Sequence, residues 1–264
     1  MTTNIKDKTV LITGGANGIG FHYAQELLRN DAKCVAILDL PTANGENSVA
    51  KLEKEFGKGR AIFLVCDVTN ADQMEASFKK VVETFKGLDI LINNAGILDD
   101  KRWELMININ YTSLVRGTLL GIELMGKHKA GKGGTIVNIG SIIGIMPTDV
   151  VPVYSGTKHA VVGFSRSIAC TYDKTGVRIL AICPGVTTTP LITDTSERFL
   201  DAIGQSTGLG ILKSYNQQPP IHVARAMVTF IEKGKNGMVC VSEDNEPPYT
   251  VDIPLYTALT KQPL

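Results

Sequence analysis

Residues 9 to 29 read TVLITGGANGIGFHYAQELLR, and three kinds of local pattern follow one another there without a spacer. Val10–Thr13 is short, β-branched and apolar throughout. It is too short for a helix and too apolar for a half-exposed strand, so it reads as a strand buried on both faces. Thr13-Gly14-Gly15-Ala16-Asn17-Gly18-Ile19-Gly20 is a turn in which glycine removes the β-carbons that would keep another backbone or a ligand away. Ile19–Arg29 then takes up helical periodicity. A strand, a glycine turn and a helix in that order open a βαβ unit. They set the unpaired N–H groups of a helix start beside the turn.

The same alternation continues along the chain. Further strands are expected at Cys34–Asp39, Ala61–Cys66, Ile90–Asn93, Thr135–Ile139, Arg178–Cys183 and Met238–Val241. Helices are expected between them at Glu46–Phe56, Ala71–Phe85, Trp103–Gly126, Pro152–Thr171 and Pro220–Lys233. A β-α-β-α rhythm of this kind implies an α/β fold, a doubly wound parallel sheet with helices on both faces (a Rossmann fold). The 264 residues suit one such domain, residues 1–264, and leave little room for a second. Leu191–Gln218 breaks the rhythm. It is too long for an ordinary connection and too apolar for a free surface loop, so it is expected to be a substrate lid. The tail, Ser242–Leu264, is rich in proline yet carries Tyr249, Ile253, Leu255, Tyr256 and Leu259. It is expected to pack along the surface rather than float.

Composition excludes several classes of function. There are 27 basic and 26 acidic residues, a formal net charge of +1, which leaves no surplus to drive binding to nucleic acid or to an anionic membrane. No window approaches the length of a membrane span, and the start of the chain has no apolar stretch of signal-peptide length. A cytoplasmic protein is expected, and the glycosylation pattern Asn110-Tyr111-Thr112 should then be idle. Cys34, Cys66, Cys170, Cys183 and Cys240 are far apart, as are the four histidines, and none shows metal-ligand spacing. Reduced thiols and no metal are expected.

The chemistry starts at the glycine turn. A pyrophosphate needs backbone N–H groups at close range and is stabilised by the positive end of a helix. Asp39 ends the second strand, nineteen residues beyond Gly20. A carboxylate there accepts hydrogen bonds from ribose hydroxyls and repels a 2′-phosphate, so NAD is expected rather than NADP. Asp67, just after the third strand, is placed to meet the adenine edge.

Tyr154 and Lys158 lie four residues apart on an expected helix and share a face. Alone, a surface Tyr–Lys stack would explain them. Oxidising an alcohol, however, requires a base for the hydroxyl proton, and a free phenol with a pKa of about 10 is a poor one at neutral pH. A nearby lysine cation favours the phenolate. Ser141 follows the strand Thr135–Ile139, where its hydroxyl can bind and orient a substrate oxygen.

Six ordered motifs are now in view: TGGANGIG, Asp67-Val68, Asn93-Asn94-Ala95-Gly96, Ser141, Tyr154-Ser-Gly-Thr-Lys158 and Pro184-Gly185. On them the chain resembles the short-chain dehydrogenase/reductase family from Asp7 to Val241. The resemblance implies that Tyr154 is the acid/base and that Lys158 also holds the nicotinamide ribose. It implies that Ser141 steadies the substrate oxygen. It makes Asn110 a fourth catalytic residue, supporting a water-linked proton relay; Asn108 is near, but the spacing from Trp103 and the following Tyr-Thr favour Asn110. Asn93 and Gly96 would shape the adenosine side, and Thr187 and Thr189 would meet the carboxamide. Gly14, Asn17, Gly18, Ile19, Gly20, Val68, Ala95, Pro184 and Gly185 complete the implied cofactor site.

Two branches of that family look similar. The insect-type alcohol dehydrogenases are suggested by Ala95-Gly-Ile-Leu-Asp-Asp100 and Val151-Pro-Val-Tyr154. The hydroxyprostaglandin dehydrogenases are suggested by Trp103-Glu104 and Ile182-Cys-Pro-Gly185, but where that branch carries a substrate-binding glutamine this chain has Val151. The stretch between Ser141 and Tyr154 holds one acid and no base, which with the apolar lid implies a small neutral alcohol or carbonyl substrate. A catalytically idle NAD-binding protein would not need Ser141, Tyr154 and Lys158, and Asp39 speaks against an NADP-dependent reductase. The helices Trp103–Gly126 and Pro152–Thr171 are apolar on more than one face, and in the resembling family they pair across a two-fold axis, so a homodimer is expected.

Overall fold

Alternate residues of the central strands enter different cores, which is why those strands are apolar at nearly every position. In the computed structural model, which describes residues 4–193, 197–254 and 258, the first strand β1 (Thr9–Thr13) is buried along its length. Val10 and Ile12 join one core with Val35, Ile37, Ile90, Ile92 and Val137. Leu11 joins the other with Ala36, Leu38, Leu91 and Ile136.

The strands β2 (Cys34–Asp39), β3 (Ala61–Val65), β4 (Ile90–Asn93), β5 (Gly134–Ile139), β6 (Val177–Pro184), β7 (Val239–Ser242) and β8 (Tyr249–Val251) complete one sheet in the order β3-β2-β1-β4-β5-β6-β7-β8. Every pairing is parallel except β7 with β8. This is the doubly wound sheet read from the sequence. Strand order reverses between β1 and β4, and such a switch point opens a crevice at the carboxyl ends of the strands.

The helices are α1 (Gly18–Arg29), α2 (Gly45–Phe56), α3 (Ala71–Phe85), α4 (Trp103–Ile107), α5 (Ser113–Met125), α6 (Pro152–Ile168), α7 (Tyr172–Thr175), α8 (Pro190–Thr193), α9 (Gln205–Ser214) and α10 (Pro220–Lys233). α1 and α10 pack together beneath one face. α3 and α5 cover the other. Each fully buried Leu, Ile, Val or Phe contributes roughly 1.5–3 kcal/mol to these two cores.

Three local differences from the sequence reading have physical causes. The helix expected at Trp103–Gly126 is interrupted by a π-helical turn, Asn108–Thr112, between α4 and α5. The segment Leu191–Gln218 contains a helix, α9, whose two internal glycines weaken its periodic signal. Gly208 is there because the Phe199 ring lies against it, with a β-carbon at that position 2.4 Å from the ring. The tail adds β8 to the sheet edge, and the Arg166 guanidinium donates to the Ile253 carbonyl (2.8 Å). Leu255, Tyr256 and Leu259 lie outside the described residues.

Candidate active site

Two adjoining hollows lie at the carboxyl ends of the strands. The larger, about 400 Å³, takes Gly14, Asn17, Gly18 and Ile19 from the glycine turn and Asp39 from the end of β2. Asp67 and Val68 from the turn after β3, and Ala95 and Gly96 from that after β4, complete its walls. The smaller, about 90 Å³, takes Ser141, Tyr154, Lys158, Pro184, Gly185, Thr187 and Thr189. Ile19, Asn94, Gly96, Thr189 and Leu191 line both, so they form one cleft.

The glycine turn is shaped for a charged guest. Gly14 and Gly18 have φ of +63° and +53°, a left-handed conformation that side chains resist. A β-carbon at Gly14 would lie 2.9 Å from the Ala95 α-carbon, and one at Gly20 only 2.2 Å from the Gly14 carbonyl oxygen. At Gly18 it would enter the cleft, meeting nothing nearer than Thr189 at 3.6 Å. The N-cap of α1, Asn17, makes no capping hydrogen bond, and the first turn holds no acid. Its amide donates instead to the Ala43 carbonyl (2.9 Å). The first N–H groups of α1 and its positive end are thus left to the cleft, and a diphosphate fits both.

Asp39 accepts from Ala16 N–H (3.0 Å) with one oxygen and from Leu40 N–H (2.9 Å) with the other. Burial pushes its carboxyl up and these two donors oppose the rise. Each oxygen keeps a lone pair that can accept from a ribose hydroxyl. Asp67 accepts from the Thr69 N–H and hydroxyl (2.9 and 2.7 Å), which stiffens its turn at the cleft wall.

Ser141 follows β5, whereas Tyr154 and Lys158 ride on α6. Tyr154 is 7% exposed and Lys158 4%. The Lys158 ammonium donates to the Ile139 carbonyl (2.9 Å) and stands 5.5 Å from the Tyr154 ring centroid. Burial pushes the Tyr154 phenol well above its ordinary value, and a hydrogen bond with the Ser141 side chain works against that rise. Burial also lowers Lys158, to about 8. From the sequence the lysine is expected to lower the phenol; among the protein's own groups, burial dominates both. The Cys183 thiol beside them is likewise pushed up to about 12 by burial.

Three residues named from the sequence line neither hollow. Gly20 serves packing, as above. The Asn93 amide donates to Thr118 (3.1 Å) and to Asn138 (2.9 Å), whose own amide reaches Ser165 (2.9 Å). This is a buried polar chain behind the site, not a wall of it. The neighbouring Asn94 does line the cleft, and its amide donates to the carbonyls of Thr13 (3.0 Å) and Gly14 (2.8 Å), tying β4 to the glycine turn. The Asn110 side chain is tied at both ends: its oxygen accepts from Ile97 N–H (2.8 Å) and its two amide hydrogens go to the Ile97 carbonyl (2.8 Å) and to Thr157 (3.2 Å). It sits in the π-helical turn, where the ordinary helical ladder is broken.

The sequence reading also missed Gln218. Its backbone pairs with the Val186–Thr188 turn, and its amide donates to the Ser242 carbonyl (2.6 Å) and the Thr187 hydroxyl (3.4 Å). Thr187 is 31 residues away, and no local pattern announces such a contact. Within Leu191–Gln218, Leu191 and Ile192 face the smaller hollow. Phe199 and Leu212 instead bury themselves in an apolar cluster with Leu98, Met106, Val150, Val151 and Tyr154.

Among the described residues, no three His, Cys, Asp or Glu side chains gather as a metal site. No helix of the described residues is long and apolar enough to cross a membrane.

The profile of a protein family described as short chain dehydrogenase matches residues 8–199. The chain is 35% identical over 268 residues to the 15-hydroxyprostaglandin dehydrogenase [NAD(+)] of Rattus norvegicus, covering 98% of this chain and 100% of that protein. It is 33% identical over 244 residues to alcohol dehydrogenase 1 of Ceratitis capitata, covering 90% and 93%. Among solved structures, a levodione reductase superposes with a TM-score of 0.77 at 25% identity, covering 90% of this chain and 96% of that one.

Proposed function

The chain belongs to the short-chain dehydrogenase family, and from that premise we propose that it is an NAD-dependent dehydrogenase of a neutral, lipophilic alcohol, with Tyr154 as acid/base. The observation that carries the reading is the pairing of Tyr154 and Lys158 beside Ser141 in one cleft with the glycine turn and Asp39. NAD, when bound, accepts or returns the hydride.

The residues divide the remaining work. The N–H groups of α1 and the turn from Gly14 to Ile19 hold the diphosphate. Asp39 takes the ribose, and Asp67, Val68, Ala95 and Gly96 frame the adenine side. Pro184, Gly185, Thr187 and Thr189 shape the nicotinamide side, and Lys158 holds its ribose. The Ser141 hydroxyl donates to the substrate oxygen while the Tyr154 oxygen takes the alcohol proton. Any part of Asn110 in a proton relay falls to its main chain, because its amide is occupied. Leu191 and Ile192 give the substrate side an apolar wall, and residues 191–218 act as its lid.

Like charges brought together cost several kcal/mol, so NAD should be preferred to NADP by about a hundredfold or more in kcat/KM. Asp39→Ala should narrow that ratio. Equal use of NADP by the wild type would overturn the assignment.

A second reading is supported by the full-length match to 15-hydroxyprostaglandin dehydrogenases: a hydroxylated lipid as substrate. Val151, which stands where that branch carries a substrate-binding glutamine, is fully buried among apolar side chains and offers the substrate no polar group, which favours the first reading. A panel of neutral alcohols graded in length and branching, set beside hydroxy fatty acids, separates the two. Preference for the acids would favour the second.

A homodimer completes the proposal. Trp103, Leu105 and Leu119 are 47%, 38% and 47% exposed along α4 and α5, an apolar surface that a second copy would cover. Light scattering at micromolar concentration should give twice the chain mass or more, and a monomer would refute it. A cytoplasmic setting fits the five free cysteines.

A further inference from the structure

The helix that carries Tyr154 has no cap of its own. The N-cap of α6 is Val151, which has no side-chain acceptor, and Pro152 follows it. The next two N–H groups, of Val153 and Tyr154, are orphan donors of a first helical turn. Both are satisfied from another part of the chain. Asp100, fully buried in the loop after β4, accepts from Val153 N–H (2.9 Å) with one carboxylate oxygen and from Tyr154 N–H (3.0 Å) with the other. It reaches across 54 residues of sequence to do so. Asp99 beside it is occupied elsewhere, accepting from the N–H and guanidinium of Arg102 at the start of α4 (3.1 and 2.7 Å). The backbone N–H of Asp100 donates to the Arg198 carbonyl in the lid (2.9 Å).

We propose that Asp100 is a positioning residue for the reaction: its carboxylate clamps the first turn of α6 and so holds the Tyr154 ring at the depth and angle where its oxygen meets Ser141. A bidentate, charge-assisted clamp at a helix start is stronger than a neutral cap and fixes two adjacent N–H vectors at once. Tyr154 hangs directly from the second of these. The lid is tied to the same residue by its backbone, so Asp100 joins three parts of the site: the loop after β4, α6 and the lid. Substituting the side chain removes the clamp and leaves the backbone tie to Arg198.

This inference rests on Tyr154 being the acid/base, and the test keeps the two apart. Asp100→Ala, Asp100→Asn and Tyr154→Phe are assayed with NAD and two neutral secondary alcohols, cyclohexanol and octan-2-ol. Rates are expressed per NADH-binding site titrated by fluorescence. Misplacing a reacting group by about 1 Å costs up to roughly a hundredfold, so Asp100→Ala should lose about ten- to a hundredfold in kcat per site. Asp100→Asn keeps the shape and one acceptor and should fall between it and the wild type. NADH affinity should stay close to normal in both. The solvent deuterium isotope effect on kcat should grow, because proton transfer to Tyr154 becomes slower than product release.

A purely structural role predicts a different pattern. The number of titratable sites and the melting temperature would fall, while kcat per site and the isotope effect would hold. Wild-type kcat per site in Asp100→Ala, beside an inactive Tyr154→Phe, overturns the clamp alone. Near-normal kcat in Tyr154→Phe overturns the acid/base reading and the clamp with it. Should Asp100→Ala fail to fold, Asp100→Asn decides by the same criteria.

Discussion

Replacing Tyr154 by phenylalanine is expected to lower kcat by about a hundredfold to ten-thousandfold, the usual contribution of a positioned acid/base. The substitution keeps the ring, which packs with Leu98, Val151, Phe199 and Leu212, and removes only the oxygen that meets Ser141. The fold should therefore stand. The glycine turn and Asp39 lie in the other hollow, so NAD affinity should change little. A variant with near-normal kcat would show that another group moves the proton. One that loses NAD binding would show that the ring, not the hydroxyl, is what the site needs.

Lys158→Met is expected to harm two things at once. The ammonium stands over the Tyr154 ring and is proposed to hold the nicotinamide ribose, so kcat should fall by about a hundredfold or more while NAD affinity falls as well. Stability should move the other way. Burial holds the lysine at about 8 in the folded protein, below its ordinary value of 10.5. The unfolded chain therefore binds more protons than the folded one between those values. Lys158 then makes the wild type gain stability as pH rises from about 8 to 10.5, and below pH 8 it imposes the full cost of burying a charge. The shift corresponds to about 3 kcal/mol. Methionine has a similar length and no charge, so Lys158→Met should melt higher than the wild type at pH 7, with the advantage shrinking toward pH 10.5. A lower melting temperature at pH 7 would mean that the bond to the Ile139 carbonyl outweighs the burial cost.

Local patterns carried most of the fold. Short apolar strands alternating with helices imply the doubly wound parallel sheet; the strand order, and with it the switch between β1 and β4 that opens the crevice, is seen in the structure. What depended on contacts between distant segments was not legible. Asn93 and Asn94 are adjacent and chemically identical, yet one turns into the polar chain with Thr118 and Asn138 and the other faces the cleft. Only the course of the chain leaving β4 decides which. Asp100 and Gln218 act across 54 and 31 residues, and each looks like an ordinary loop residue in sequence. The apolar character of Leu191–Gln218 is visible in the sequence, but not that Phe199 and Leu212 pack inward while Leu191 and Ile192 face the cleft. Tyr154 and Lys158 are a similar case. A lysine four residues from a tyrosine is visible in the sequence, but the burial that raises one and lowers the other is not.

The proton-transfer account turns on a balance of charge at Tyr154. Burial raises the phenol and the Ser141 hydrogen bond opposes it; in the proposed reaction a positively charged nicotinamide ring and the Lys158 cation add to that opposition. The most direct test is the pH dependence of kcat/KM for alcohol oxidation at saturating NAD, measured for the wild type and for Tyr154→Phe. The account predicts a wild-type rate that rises through one apparent pKa below the ordinary tyrosine value of about 10, and a residual Tyr154→Phe rate without that rise. An identical profile in the two proteins would contradict it, as would a wild-type rise only at or above that value.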